Sequence, residues 1–172
     1  MDANVLKNIA TRRSIRRYRN ERINPELVKI LLQSAMFAPS AANQQPWSFV
    51  VIEDTDTLKA LSAVNRFYAA LPHAPLAILV CGNPQAAVFR QFWEQDCAAA
   101  TENILLAAHA IDLGAVWMGI NPGPDRETIR KRLNIPQEIE PFAFVSLGYP
   151  DEAANQPSDR FDEKKVHYNS IW

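Results

Sequence analysis

Apolar side chains recur along the chain with two periods, one typical of helices and one typical of strands. Helical spacing predicts helices over residues 4–11, 25–37, 55–63, 89–113 and 125–133. Aromatic, β-branched or continuously apolar runs predict strands over residues 47–52, 75–81, 115–120 and 143–147. The helices and strands do not alternate strictly, which favours an α+β fold over a doubly wound parallel sheet.

The ends of several predicted helices are marked by capping residues. Asn24 precedes Pro25 and is a plausible N-cap, and either Asp54 or Thr55 begins the next helix. Residues 39–46 break the helical pattern and form a loop. Gly114 is the expected C-cap of the longest helix.

The longest predicted helix is apolar around most of its circumference, so we expect it to be buried. Ala99, Asn103, Leu106 and Ala110 lie on one stripe of this helix. Small side chains on a stripe allow a close approach of another helix. That helix belongs either to the same chain or to a second copy at a two-fold interface, and the sequence leaves both readings open.

Length and charge narrow the kind of protein. The 172 residues predict a single domain over residues 1–172, long enough to bury a core without disulfides. Residues 12–22 hold six of the 18 Lys and Arg residues and only one of the 19 acidic residues. A local cationic segment on an otherwise acidic chain favours a small anionic ligand over a nucleic acid.

Neither a metal site nor a membrane anchor is expected. Cys81 and Cys97 lack metal or redox spacing, and buried structural thiols are the favoured interpretation. His73, His109 and His167 also lack ligand spacing, so structural roles are expected. Residues 1–10 do not resemble a signal peptide, and no apolar run reaches the ~18 residues of a membrane span. These features predict a cytoplasmic protein with no membrane partner.

The most informative segment is RRSIRRY at residues 12–18. In an extended segment alternate side chains share a face, so Arg12, Ser14 and Arg16 would point the same way. Guanidinium groups pair with phosphate oxygens through charge-assisted hydrogen bonds. The segment therefore suits a ligand with a phosphate at one end and a polar chain leading away from it.

Five stretches together resemble the nitroreductase family of FMN-dependent oxidoreductases. They are RRSIRRY at 12–18, APSAANQQPW at 38–47, ENILLAA at 102–108, WMGI at 117–120 and LGYP at 147–150, followed by Arg160. They occur in the order found in the family and cover nearly the whole chain. The resemblance implies a three-layer α-β-α fold with a mostly antiparallel central sheet flanked by helices. It also implies a C-terminal segment, ending at Trp172, that reaches the partner of a homodimer.

The resemblance also assigns residues to parts of FMN. Arg12 and Arg160 would bind the phosphate, and Ser14, with Arg13 in the same motif, would serve the phosphate or ribityl region. Many relatives carry a further basic residue two positions before the C-terminal Arg, where this chain has Ser158.

The remaining assignments concern the flavin ring. Arg16 and Asn65 would contact its pyrimidine edge, and the backbone N–H groups of Met118 and Gly119 would approach N5. The loop carrying Pro39, Ser40, Ala41 and Asn43 would come from the other subunit, so that FMN lies at the dimer interface.

The implied activity is ping-pong hydride transfer through N5 of FMN, from NADH or NADPH to a small nitroaromatic, quinone or flavin-type acceptor. No side chain needs to act as nucleophile or base, so no catalytic residue is assigned. Residues 65–75 and 83–90 are the segments available to cover the site, which predicts an open pocket with broad acceptor tolerance. The alternatives are reductive dehalogenation, flavin cleavage or a non-enzymatic flavin-binding role.

Overall fold

The structure, a computed structural model, describes residues 3–151 and 159–169. The helices are α1 (Ala3–Thr11), α2 (Pro25–Met36), α3 (Thr55–Ser62), α4 (Trp93–Ala110) and α5 (Pro124–Arg132). The strands are β1 (Trp47–Ile52), β2 (Leu76–Gly82), β3 (Gly114–Gly119) and β4 (Glu140–Gly148). They form one antiparallel sheet in the order β1-β2-β4-β3.

Helices cover both faces of the sheet, which confirms the predicted three-layer α+β arrangement. On one face α2 and α4 pack over alternate residues of the strands, including Ile78, Val80 and Val145. On the other face α3 and the turns after it pack over the intervening residues, including Leu79 and Phe144. The side chains of β2 alternate between the two faces, and both faces are covered, so this strand is buried along its whole length.

Capping interactions begin the helices where the sequence predicted them. The side-chain oxygen of Asn24 accepts the N–H of Glu26 at 2.9 Å, directly before α2. Asp54, rather than Thr55, is the N-cap of α3, and its carboxylate accepts the N–H of Thr57 at 2.8 Å. Both caps satisfy backbone donors that the first helical turn leaves unpaired.

The longest helix is shorter than predicted. It begins at Trp93 after a 3-10 turn at Arg90–Phe92, and it ends at Ala110. The prediction that Gly114 caps it was wrong. Asp112 takes the left-handed conformation instead (φ 61°), and the N–H of Leu113 bonds back to the C=O of Ala108 at 2.8 Å.

Gly114 instead begins β3, where its lack of a side chain allows Ile15 to pack closely against the strand. A Cβ at this position would lie 2.7 Å from Cγ2 of Ile15. The strand β4 extends over residues 140–148, beyond the predicted 143–147, since it is hydrogen-bonded by β2 on one side and β3 on the other.

Both cysteines are buried free thiols, as predicted. Burial raises the pKa of Cys81 and of Cys97 to about 12, so both thiols stay protonated at neutral pH. Across residues 3–151 and 159–169, no helix combines the length and apolarity that crossing a bilayer requires.

Candidate functional site

The arginine segment lies against the outer edge of β3. Ser14 pairs with Ala115 in a parallel bridge, and the N–H of Ile15 donates to the C=O of Ala115 at 3.0 Å. The side chain of Ile15 is buried, whereas Ser14 and Arg16 are exposed. The expected alternation therefore holds across residues 14–16, and Ser14 and Arg16 are on the solvent side.

Tyr18 anchors the far end of the segment. Its buried hydroxyl donates to the C=O of Ile15 at 2.5 Å and lies 2.8 Å from Oγ of Ser146, a residue of the central strand β4. The alternation ends here, because Arg17 is exposed and Tyr18 turns inward. The exposed side chains of the segment are thus held by two buried neighbours, Ile15 and Tyr18.

Beyond Ala115 the edge of β3 has no neighbouring strand among the described residues. The N–H of Ile120 donates to the C=O of Phe142 at 3.0 Å, so Ile120 and, by alternation, Met118 direct their backbone groups toward β4. Gly119 then directs its N–H outward, away from the sheet. The two backbone N–H groups assigned from the family thus differ, and only that of Gly119 faces a possible ligand.

A cleft of about 490 Å³ opens at this edge. It brings together Arg16 with Met118 and Gly119, although about 100 residues separate them in sequence. The other lining residues come from the turns after α3 and from the end of β3: Arg66, Phe67, Ala69, Ala70, Val116, Trp117 and Asn121. The cleft therefore joins apolar walls to two guanidinium groups and an outward backbone N–H.

Arg12 and Arg13 lie beside a different cavity of about 260 Å³, which His109 also lines. Nε of Arg12 is 3.7 Å from a carboxylate oxygen of Glu102, and its side chain is 24% exposed. Arg13 donates to the C=O groups of Ala10 and Arg12 at 2.8 and 2.6 Å. Arg12 and Arg13 are therefore close to Arg16 in sequence but lie outside the cleft that Arg16 lines.

His109 has a pKa below its usual value, because partial burial and the nearby guanidinium of Arg12 disfavour the charged ring. Its Nε2 lies 2.8 Å from Oγ1 of Thr11. A neutral ring at pH 7 avoids adding a third charge next to Arg12 and Arg13.

Asn65 lies next to the cleft rather than on its wall. Its amide nitrogen donates to Asp125 at 2.8 Å, and its amide oxygen accepts the N–H of Phe67 at 3.1 Å. Tyr68 also donates to Asp125, at 3.1 Å, and burial together with this carboxylate raises the Tyr68 pKa. Asn65 thus shapes the turn that presents Arg66 and Phe67.

Of the C-terminal residues named from the family resemblance, the structure describes only Arg160. Arg160 is exposed, and within the described residues no hydrogen bond or ion pair joins its side chain to the arginine segment. Ser158 and Trp172 lie outside the described residues. The second predicted phosphate contact, from Arg160, stays a prediction.

The loop at residues 39–45 lies at the opposite edge of the sheet. It leads into β1, and β1 and β3 are the two edge strands. Trp47 and Gly119 are toward the same end of the sheet, but their strands are three strand spacings, about 14 Å, apart. Within one chain the loop carrying Pro39, Ser40, Ala41 and Asn43 and the cleft carrying Arg16 are therefore separate.

Four residues near these sites were not predicted from the sequence. Arg66 and Asn121 line the cleft, and Asp96 and Gln44 hold the loop. Asp96 had a detectable signal, because it lies four residues before Ala100 on the stripe of α4 that is buried. Arg66 had none, since its proximity to Arg16 depends on how the turns pack on the sheet.

The chain is similar to known proteins along most of its length. A model of the nitroreductase family matches residues 9–66 and 62–149. A protein of Archaeoglobus fulgidus with the provisional name NADH dehydrogenase/NAD(P)H nitroreductase is 45% identical over 166 residues, which cover 94% of this chain and 95% of that protein.

Solved structures are similar over nearly the full chain. A provisionally named NADH oxidase of Clostridium acetobutylicum superposes with a TM-score of 0.91 at 42% identity, covering 95% of this chain and 99% of that one. A provisionally named nitroreductase of Desulfovibrio desulfuricans, solved in complex with FMN, superposes with a TM-score of 0.83 at 32% identity, covering 100% and 99%.

Proposed function

This chain belongs to the nitroreductase family, and we propose that it uses FMN to pass electrons from NADH or NADPH to nitroaromatic, quinone or flavin-type acceptors. An NAD(P)H-dependent oxidoreductase with FMN agrees with the names of its relatives and with the FMN complex of one of them. The class of acceptor and the ping-pong order are part of the proposal.

The observation that carries the proposal is the meeting of Arg16 and Gly119 at the open edge of β3. FMN joins a flat ring with a polar edge to a phosphate tail. The cleft offers apolar walls for such a ring, the guanidinium of Arg16 for its electron-rich pyrimidine edge, and the outward N–H of Gly119 for a ring nitrogen. The residues present therefore fit the cofactor.

When bound, FMN would supply the hydride-accepting and hydride-donating chemistry that no side chain of the cleft provides. The protein's own residues orient and tune it. The cation of Arg16 would stabilise negative charge at the pyrimidine edge of a bound flavin, and Ile15 and Tyr18 hold the backbone of the segment that carries Arg16. No side chain of the cleft is assigned a proton-transfer role.

The charge of the cleft favours an anionic substrate. Arg16 and Arg66 line it, and none of its described lining residues is acidic. The guanidinium of Arg66 lies 4.9 Å from the ring centre of Phe67, a side chain that is 64% exposed. Arg66 and Phe67 together offer a cation and an aromatic face to the phosphates and rings of a dinucleotide or to an anionic acceptor.

A homodimer completes the proposed site. The loop at residues 39–43 cannot share the cleft of its own chain, whereas the loop of a second copy could meet it. The face of α1 carries three apolar side chains that are more than half exposed, Val5, Leu6 and Ile9, and Phe37 at the end of α2 is 85% exposed. Exposed apolar side chains of this size are typical of surfaces that another chain covers.

Sedimentation of the purified protein should therefore give the mass of two chains, and Leu6→Glu should shift the mass toward one chain. The charge would have to be buried in the interface, which is strongly unfavourable. The same variant should lose FMN, because each site would lack the partner's loop. A monomeric wild-type protein that binds FMN would contradict the dimer proposal.

In this proposal the ring of FMN occupies the cleft lined by Arg16, and its phosphate lies outside that cleft, at the neighbouring cavity lined by Arg12. Replacing Arg12 by Ala should therefore weaken FMN binding without unfolding the protein. Loss of a charge-assisted contact to phosphate should raise the FMN dissociation constant by about 10-fold to 100-fold. The partly exposed ion pair with Glu102 has a long 3.7 Å separation and contributes at most about 1 kcal/mol, so the free energy of unfolding of the apoprotein should change only slightly. Fluorescence titration of the apoprotein with FMN and urea unfolding measure the two quantities.

Glu102→Gln is the matched control, because it breaks the same ion pair and keeps the guanidinium. This variant should bind FMN at least as tightly as the wild type. Full flavin occupancy in Arg12→Ala, or an equal loss of FMN in Glu102→Gln, would show that Arg12 does not bind the phosphate.

The proposal as a whole is tested by the visible absorption spectrum of the purified protein, followed by anaerobic addition of NADH and NADPH separately. A flavin spectrum that bleaches with a dinucleotide, and returns when a nitroaromatic or quinone is added, is the expected result. A protein that stays colourless when FMN is supplied would refute it. A flavin spectrum that does not bleach would indicate a binding role instead, and return of colour only with a halogenated phenol would indicate reductive dehalogenation.

A further inference from the structure

The loop at residues 39–45 has an unusual backbone. Ala42, Asn43 and Gln45 all have φ in the left-handed region, at 47°, 54° and 45°. Residues other than glycine disfavour this region, and Asn and Asp tolerate it better than Ala or Gln do. Hydrogen bonds both within the loop and from outside it hold this shape, and such strain is often found where a loop meets a ligand.

Asp96 supplies the main contact. It lies in the first turn of α4, is 4% exposed, and directs both carboxylate oxygens at the loop. One oxygen accepts the backbone N–H of Ala41 at 2.9 Å, and the other accepts Nε2 of Gln44 at 2.6 Å. No Lys, Arg or His among the described residues forms an ion pair with Asp96. The carboxylate is therefore committed to the loop.

Gln44 extends this contact to a third segment. Its amide oxygen accepts the N–H of Phe89 at 2.9 Å, and Nε2 also donates to the C=O of Phe89 at 3.3 Å. Within the loop, Oγ of Ser40 accepts the N–H of Gln45 at 3.0 Å. Asp96 and Gln44 thus join the loop, the segment at residues 83–92 and the start of α4 into one unit.

We propose that Asp96 and Gln44 are positioning residues that hold the loop at residues 39–43 in the shape needed to contact the flavin of the partner subunit, and that they couple this loop to residues 83–92. The inference rests on the proposed function, since it names what orients the partner's loop. It also distinguishes the two segments, residues 65–75 and 83–90, that the sequence offered as covers of the site. Four residues of the first segment line the cleft of their own chain, whereas Phe89 of the second is hydrogen-bonded to the loop.

The chemistry of position 96 makes the proposal specific. Two N–H donors converge on this side chain, and a carboxylate has two acceptor oxygens. An asparagine has only one, so Asp96→Asn places an NH₂ group against one of the two donors while preserving the size of the side chain. Gln44→Glu removes a donor instead of an acceptor, and it places a second carboxylate against that of Asp96.

The double variant Asp96→Asn/Gln44→Glu exchanges the two groups. The new Asn amide can donate to the new carboxylate, which still accepts the N–H of Phe89, and the Asn oxygen still accepts the N–H of Ala41. The long 3.3 Å contact to the C=O of Phe89 is lost, and the carboxylate oxygen that replaces Nε2 faces this carbonyl at a distance that weakens the repulsion. The double variant should therefore restore most of what each single variant removes.

The experiment compares wild type, both single variants, the double variant and Asp54→Asn. Asp54→Asn makes the same chemical change at the N-cap of α3. This position follows β1, whereas the loop precedes it, so the two lie at opposite ends of the strand. Hydrogen exchange of the apoproteins reports on residues 39–46 and 83–92, and titration with FMN gives the dissociation constant. Thermal unfolding of the apoproteins controls for a general loss of stability.

We expect Asp96→Asn to speed exchange in both segments together and to raise the FMN dissociation constant at least 10-fold, with the double variant within about 3-fold of wild type. Asp54→Asn should leave both quantities unchanged. Unaltered FMN binding by Asp96→Asn, or a double variant as weak as the single ones, would overturn the inference alone. If the wild type itself does not bind FMN, the proposed function fails and the inference fails with it.

Discussion

Gly119→Pro is expected to abolish tight FMN binding while the apoprotein keeps its fold. The N–H of Gly119 faces away from β4, so proline removes a donor that the sheet does not use. Proline is tolerated on an edge strand where its missing N–H faces outward. Loss of one well-placed hydrogen bond, together with the bulk of the ring, should raise the FMN dissociation constant by about 100-fold.

Gly119→Ala is the control for this variant, because a Cβ at position 119 has no heavy atom within 4 Å and the N–H is kept. It should bind FMN within about 3-fold of the wild type. FMN titration and the unfolding temperature of the three apoproteins provide the comparison. Retention of FMN by the proline variant would mean that the outward N–H is not a cofactor contact, and equal loss in both variants would indicate a steric effect.

Gly114→Ala is expected to destabilise the protein and to weaken FMN binding at the same time. Its Cβ would lie 2.7 Å from Cγ2 and 2.8 Å from Cβ of Ile15, and 3.2 Å from Cγ of Pro150. Real Cβ atoms do not approach so closely, so the arginine segment has to move off β3. Overpacking of this kind costs about 1–3 kcal/mol.

Gly114→Ala should also weaken FMN binding, because Ile15 anchors the segment that presents Ser14 and Arg16. The N–H bond of Ile15 to Ala115 fixes this segment, and a shift of the segment displaces both side chains. Urea unfolding and FMN titration of Gly114→Ala measure the two effects, and Gly119→Ala, the same change on the same strand without a clash, is the reference. A Gly114→Ala protein with wild-type stability would show that the contact with Ile15 is not tight.

Much of the secondary structure followed from local pattern. The cap at Asn24, the strand at Trp47–Ile52 and the buried run of β2 were predicted because each depends on residues adjacent in sequence. The end of the longest helix was not. Gly114 is the ordinary signal for a helix end, but here Asp112 turns the chain, and Gly114 is needed for the passage of Ile15, which is 99 positions earlier.

The candidate site shows the same difference between features that depend on neighbouring residues and features that depend on distant ones. The sequence by itself determined the nitroreductase family, the α+β layers and the arginine segment, since these depend on ordered motifs and on the periodicity of apolar residues. Tertiary structure alone decided that Arg16 shares a cleft with Arg66, that the loop of residues 39–45 lies at the other edge of the sheet, and that Asp96 holds Gln44. These are contacts between residues about 50 or more positions apart, and they depend on how strands and turns pack rather than on any local propensity.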